Sequence, residues 1–456
     1  MLTNKLILKD ILKIEKKLDE KKFIVNGLNY WPAIRIRIAF YLIQKRYEHL
    51  KKKKFLFQLK IFLFILFNIW SKKKKSHVMF VSHKNYLVKV NKSFYDRVLS
   101  GHIKKFSNKN ISYCYLDLSE NKLNHYFSKS ICKTEYINIF LIKFVAYVSS
   151  FFFKSFQSIA TYFEDLSISV DIKNSKDISL YKKKDLIIYL SYIRILKFYF
   201  KIFLKKRGIK EVYQSMYYDP IGLAINSAAN EIGIKTYCVQ HGGQSRNNPA
   251  FGKWSIIPKK GYLMLPKKFL CWDSYSKKNL DRWAKFTTFH STEISGYSWI
   301  KMWREGDINF PKIKKISNRN YNIIFTMQPS FNEFPKLVLN LISKFDKNVI
   351  FWIRFHPRHH NTKFYLETKK ILKKYSNVNL HEATNYPLPA LMSKMDLHLT
   401  GFSSCIYEAS YFKVKTILFD KQGKDYFQEF IENKKAIYLS NVNEIIKFLT
   451  KKIKHQ

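Results

Sequence analysis

The sequence predicts an α/β protein built from two Rossmann-like domains, and three observations carry that expectation. Short apolar runs of β-branched and aromatic residues alternate with helical stretches along most of the chain, the pattern of βαβ units around parallel sheets. With 456 residues the chain is long enough for two domains, each with its own core. The polar signatures fall directly after strand-like runs, at the carboxyl edge where open parallel sheets bind their ligands.

Charge narrows the partner. Lys and Arg number 82 against 33 acidic residues, a net charge of +49. Part of this excess is compositional, because the chain is rich in Lys, Asn, Ile, Phe and Tyr in the manner of an AT-rich genome. The remainder points to an anionic membrane surface, since aromatic segments flanked by lysines suit an anionic leaflet. No nucleic-acid module is recognisable, so no nucleic-acid partner is expected. The five cysteines, Cys114, Cys132, Cys238, Cys271 and Cys405, are dispersed without paired spacing, suggesting neither a disulfide framework nor a zinc site. Charged residues run through the N-terminal apolar positions, which is unlike a signal peptide. The expectation is a cytoplasmic protein, peripheral on the inner face of the membrane.

Residues 4–21 place Leu6, Ile7, Ile11, Leu12, Ile14 and Leu18 at near-helical spacing, an amphipathic helix docked on the domain, with membrane contact as the alternative. Pro32 suits the first turn of a basic helix over 33–47. Lysines at 51–54 and 72–75 bracket an apolar run over 55–70 that Lys60 interrupts, shorter than a membrane span and suited to lying in the interface. The first strand is expected over 78–81, ending at Ser82-His83, where His83 reads as structural. A second follows over 111–118. Residues 136–163 form a long aromatic-rich run, a further candidate for membrane or acceptor contact, and 164–185 read as a loop. A helix over 186–206 leads into a βαβ unit: strand 211–216, turn Tyr217-Tyr218-Asp219-Pro220, helix 221–232, strand 235–239. That last strand ends in Gln240-His241-Gly242-Gly243, whose glycines permit close backbone approach. The division expected is a helical, basic, membrane-associating region over 1–75, a domain over 76–305, a linker over 306–320 and a second domain over 321–456.

The second domain opens with a strand over 322–327 that closes on Gln328-Pro329-Ser330. Its two signatures are Arg354-Phe355-His356-Pro357, after the strand 349–353, and Gly401-Phe402-Ser403-Ser404, after the strand 396–400. Pro357 stops the first strand and leaves His356 at its tip. Ser403 or Ser404 can cap the helix that follows, where free N–H groups favour an anion.

A His-Pro pair followed by a Ser-Ser pair, each at a strand end, resembles the nucleotide-binding half of GT-B glycosyltransferases. In those enzymes two Rossmann-like domains face each other across a cleft. Over roughly residues 205–440 the chain is most similar to bacterial sialyltransferases and related CMP-sugar and CDP-polyol transferases. The resemblance implies donor-phosphate contacts from His356 of the His356-Pro357 pair, Ser403 and Ser404, with Arg354 as supporting charge. By their places, Gln328 would line the cleft and Glu408, one helical turn beyond Ser404, would take ribose hydroxyls or form a helix-surface salt bridge. The acidic pair followed by glycine that supplies the sialyltransferases' base is missing. His241 is one candidate base, because a His-Gly in the equivalent half of CDP-polyol transferases is catalytic, and Asp219 is the other. No Asp-x-Asp occurs, so no metal cofactor is expected. The function implied is inverting transfer from a nucleotide-sugar, CMP-linked and of the sialic acid or Kdo type, to a glycan or lipid-linked acceptor. Its setting would be capsule, O-antigen or lipooligosaccharide synthesis. The alternatives are a CDP-glycerol-type polyol-phosphate transferase and a non-catalytic polysaccharide export or scaffold protein.

Overall fold

The computed structural model describes residues 4–44, 75–117, 132–136, 139–169, 183–244, 246–310, 320–328, 330–345, 348–360 and 362–454. The apolar run 55–70 and residues 311–319 of the expected linker lie outside them. Contacts divide the chain into two compact units, one of Met1–Val88 and Lys92–Trp299, the other of Lys89–Asn91 and Ile300–Gln456.

The first unit is built on seven parallel strands: β1 Val78–Ser82, β2 Tyr113–Asp117, β3 Cys132–Tyr136, β4 Glu211–Gln214, β5 Lys235–Val239, β6 Lys268–Cys271 and β7 Ser291–Ile294. Their order across the sheet is β7-β6-β5-β4-β1-β2-β3. All five residues of β1 are buried. Val78 and Phe80 enter one core cluster while Met79 and Val81 enter another, as the two-residue strand repeat requires for a sheet covered on both faces. The helices described in this unit include α1 Asn4–Lys17, α2 Trp31–Gln44, α3 Ser100–Asn108, α4 Ile139–Ser150, α5 Lys154–Ser169, α6 Lys183–Arg207, α7 Pro220–Glu231 and α8 Ser274–Ala284.

Two sequence expectations change here. The loop expected from residue 164 is helical as far as Ser169, because Phe163 and Leu166 continue the buried face of α5. Strand β3 has no counterpart among the expected strands, since Cys-Lys-Thr-Glu-Tyr lacks an apolar run; only its parallel register with β2 defines it.

Helix α1 docks on the unit: Ile7, Ile11 and Ile14 are fully buried in the core. It brings Glu15 against Arg35 of α2 in a buried ion pair at 2.8 Å. Glu15 also accepts from Trp31 Nε1 at 3.2 Å and from the Ser255 N–H and hydroxyl at 2.8 and 2.5 Å. Arg35 donates to the Pro249 and Lys253 carbonyls and stacks on Trp254 at 3.9 Å. A buried ion pair persists only with its remaining valences satisfied, and here they are met by the loop that follows β5. The N-terminal helices thus fasten the loop that begins at His241.

The second unit holds six parallel strands, β8 Tyr321–Thr326, β9 Val349–Arg354, β10 Val378–Asn379, β11 Leu397–Thr400, β12 Lys415–Leu418 and β13 Ala436–Tyr438, ordered β10-β9-β8-β11-β12-β13. Tyr321, Ile323 and Phe325 face one core and Ile324 the other. No described helix of the chain is long and apolar enough to cross a membrane.

Candidate functional site

Counted within each unit, both sheets run 3-2-1-4-5-6, the first with a seventh strand added beyond the sixth. This order places a topological switch point between the first and fourth strands, where chain connections leave in opposite directions and open a crevice at the carboxyl ends. The switch strands are β1 and β4 in the first unit, β8 and β11 in the second.

In the first unit β1 delivers His83 and the turn after β4 delivers Asp219. Asp219 caps α7: its Oδ1 accepts from the Gly222 N–H at 2.6 Å, and Pro220 occupies the first turn. A Cβ at Gly222 would lie 2.5 Å from the Met216 carbonyl oxygen, so the helix start packs this tightly under the turn only as glycine. The other oxygen, Oδ2, lies 2.8 Å from His83 Nε2, in an ion pair whose N–H meets the oxygen obliquely. The two side chains are 19% and 17% exposed, sheltered but reachable. Burial alone would depress the His83 imidazole, yet Asp219, with Asp96 adding to it, outweighs burial and raises its pKa. Asp96 is itself buried, with Oδ1 accepting from the Val98 and Leu99 N–H groups at 2.8 and 3.0 Å and Oδ2 from the Ser82 hydroxyl.

His241 stands at the end of β5, the strand next to β4. Its Nε2 hydrogen-bonds the Tyr218 hydroxyl at 2.8 Å, and its ring packs among Tyr86, Tyr218 and Phe251. The Nδ1 atom is buried beside the Ser215 backbone without a hydrogen bond of good geometry. Burial first, then the Arg97 charge, push the His241 pKa down to about 3. The imidazole is neutral at any working pH and a weak base.

In the second unit the switch point is built from neutral groups. The Thr400 hydroxyl donates to the Thr326 carbonyl at 2.9 Å, accepts from Gln328 Nε2 at 2.5 Å, and accepts from the Ser403 N–H at 3.3 Å. Gln328 is 2% exposed, and its Oε1 is buried without a hydrogen-bond partner among the described residues. A Cβ on Gly401 would come within 2.9 Å of that oxygen. Ser403 Oγ accepts from the Cys405 N–H at 3.3 Å. Ser404 occupies the N-cap of the short helix Cys405–Tyr411, but its exposed hydroxyl makes no capping bond. Of the two serines, it is therefore Ser403 that holds the turn.

His356 follows β9 and begins a 3₁₀ turn at Pro357, its Nδ1 accepting from the Arg358 N–H at 3.2 Å. This leaves the single hydrogen of the neutral ring on Nε2, a donor suited to a phosphate oxygen. Arg354 spends Nη1 on the Ala383 and Tyr386 carbonyls, both at 2.7 Å, and feels the Glu408 charge. Glu408 is 5% exposed, so its carboxylate is sheltered inside the unit rather than on the helix surface. No group of three or more His, Cys, Asp or Glu among the described residues is arranged to hold a metal.

His83, expected to be structural, is placed by the structure beside Asp219 at the switch point. The available signal was its place one residue beyond the first strand, at the edge where open sheets bind.

No protein-family description matches the chain, and no curated protein resembles it closely enough to be matched. Solved structures do match. A UDP-GlcNAc 2-epimerase from Neisseria meningitidis, bound to UDP-GlcNAc, aligns with 83% of this chain and 91% of its own, at 14% identity and a TM-score of 0.50. The S. aureus MnaA structure with UDP aligns with 83% of this chain and 89% of its own, at 12% identity and a TM-score of 0.49. The wall teichoic acid polymerase TagF aligns with 86% and 88%, at 11% identity and 0.45. The fold is two Rossmann-like α/β domains of the GT-B class.

Proposed function

We propose that the chain is an enzyme of bacterial surface polysaccharide assembly, an inverting, metal-independent transferase that uses a nucleotide-activated sugar. The observation that carries this reading is the division of chemistry between the two switch points. The second unit offers uncharged and weakly basic hydrogen-bond donors, the hydroxyls of Ser403 and Ser404 and Nε2–H of His356, which suit a donor phosphate and its departing charge. The first unit offers a histidine whose basicity is raised by a carboxylate, the means to take a proton from an acceptor hydroxyl. His83 would hold that proton as the new glycosidic bond forms and the nucleotide leaves, with Asp219 stabilising the imidazolium. His241, neutral and hydrogen-bonded to Tyr218, would position groups around it. This assignment replaces His241 as the base and gives Asp219 the role of orienting carboxylate.

The donor reading is a CMP-linked sugar of the sialic acid or Kdo type. It is supported by Arg354, whose Nη1 is tied to the Ala383 and Tyr386 carbonyls, which leaves less of its guanidinium for a second phosphate. A second reading, a UDP-linked donor, is favoured by the UDP-GlcNAc held in the meningococcal structure. The acceptor would be a glycan or lipid-linked molecule at the inner face of the cytoplasmic membrane, where a net charge of +49 meets anionic lipid. Thermal melting with CMP, CDP, UDP, GDP and dTDP tests the proposal, because a ligand of the folded state raises its melting temperature. CMP should give the largest shift; a larger one with UDP selects the second reading, and none with any nucleotide removes the transferase.

A further inference from the structure

Within the first unit, a groove of about 820 Å3 is walled by α2, α4, α6 and the start of α7. Pro220, the residue next to Asp219, lines it, and Tyr192, also in the lining, lies in the field of the Asp219 carboxylate. The lining is aromatic and aliphatic, from Phe144, Tyr147, Ile188 and Tyr189, and it carries the cations Arg37 and Lys143 against one carboxylate, Asp185. Arg37 lies over the Tyr189 ring at 5.0 Å, and Lys184 over Tyr147 at 5.9 Å. The groove is thus largely apolar, with two cations against one carboxylate among its charged lining residues.

Its outer end continues into a surface that a soluble protein rarely leaves bare. Phe144, Val145, Tyr147 and Val148 on α4 are exposed, and the turn after the helix presents Phe151 and Phe152, 59% and 78% exposed. Lys143, Lys154, Lys183 and Lys184, all exposed, surround this patch. Aromatic side chains ringed by lysines match the boundary between acyl chains and anionic headgroups. We propose that this face rests on an anionic membrane and that the groove draws in an amphiphile from it, acyl part against the aromatic walls and anionic head toward Arg37 and Lys143. The proposal rests on the transferase reading only in making that amphiphile the acceptor, delivered to the Asp219 end.

Two binding measurements on the full chain test it without any turnover. Co-sedimentation with phosphatidylglycerol vesicles should exceed that with phosphatidylcholine by at least about ten-fold, and Phe151→Ser with Phe152→Ser should remove about ten-fold of it. Dodecyl phosphate, below its micelle concentration, should bind the protein in solution and lose about ten-fold in affinity in Ile188→Trp, which fills the groove, and in Arg37→Glu. Should Ile188→Trp fail to fold, Arg37→Glu, an exposed position, decides alone. Equal capture by both vesicle types, or dodecyl phosphate binding unchanged by Arg37→Glu, overturns the proposal. Nucleotide-induced melting shifts, measured on the same variants, should persist; their absence in the unaltered protein would fail the transferase reading and leave the groove standing.

Discussion

In the first unit the strands flanking the switch point lead to His83 and Asp219, with His241 one strand away. In the second, the same topological positions carry Gln328, Thr400 and Gly401. Strand order and edge are shared, and the side chains diverge completely. One pair of switch strands leads to groups that titrate, held in an electrostatic balance between burial and a carboxylate; the other leads to hydroxyls, an amide and a glycine, all uncharged, with His356 one strand away. A fold of this kind supplies the crevice, and the chemistry is decided by a few residues past the strand ends. On the proposed assignment, proton transfer and phosphate recognition are separable, so variants of one crevice should leave the other's readout alone.

The largest effect is expected in the first crevice. His83→Ala and Asp219→Asn should each lower turnover by about 10²- to 10⁴-fold, the range for loss of a general base. Asparagine at 219 keeps an oxygen for the Gly222 N–H, so the cap of α7 survives and the loss reports the charge. Nucleotide affinity should stay within about two-fold, since independent sites act additively. A matching fall in nucleotide affinity would break the division between the crevices.

In the second crevice, His356→Ala and Ser403→Ala should each weaken nucleotide binding, by about ten- to a hundred-fold for a charge-assisted hydrogen bond of roughly 1.5–3 kcal/mol. Gly401→Ala should do the same by a different route, because the added methyl would press on Gln328 Oε1 and shift the turn that Thr400 anchors. Binding that survives all three, measured by titration calorimetry, would move the donor seat elsewhere.

Acid separates the crevices further. Turnover should rise with pH through a limb lying above about 6.5, since His83 must lose its proton and Asp219 raises its pKa. In Asp219→Asn the limb should move to lower pH. Stability follows two signs. The His83–Asp219 pair contributes stability that is full below about pH 6.5 and is lost as pH rises through the raised value. His102 and His290, with pKa values near 4, and His241 and His398, near 3, are all depressed by burial. For these the unfolded chain binds more protons below about 6.5, so stability is lost as pH falls from there toward 3. Melting temperatures should therefore decline on acidification below about pH 6, and a flat profile would contradict the burial of these rings.

Much of this was legible in the chain. The strands at 235–239 and 349–353 stand out by β-branched and aromatic content, and the signatures after them fell at the strand ends as expected. Residues 354–357 and 401–404 were legible because polar residues interrupt apolar runs. His83 was not, since its partner Asp219 lies far away in sequence and only the parallel pairing of β1 with β4 brings them together. The aromatic run from 136 hid two helices because composition overwhelms periodicity there. Arg354 was read as a phosphate ligand from its neighbours; nothing local signals that its Nη1 reaches the carbonyls of Ala383 and Tyr386.

The smallest effect is expected at His241, and it bears most directly on which histidine takes the proton. Its flanking glycines and strand-end place make it look like the base. Its surroundings argue otherwise, because a ring with a pKa near 3, packed among Tyr86, Tyr218 and Phe251, has little affinity for a proton. What it does supply is one hydrogen bond to Tyr218, a contact worth about 1 kcal/mol. His241→Gln, which retains a hydrogen-bonding group, should cut turnover by at most about ten-fold and leave the acid limb where it is. A loss as deep as that of His83→Ala, together with disappearance of the limb, would return the base to His241 and reduce His83 to the residue that holds Asp219 in place.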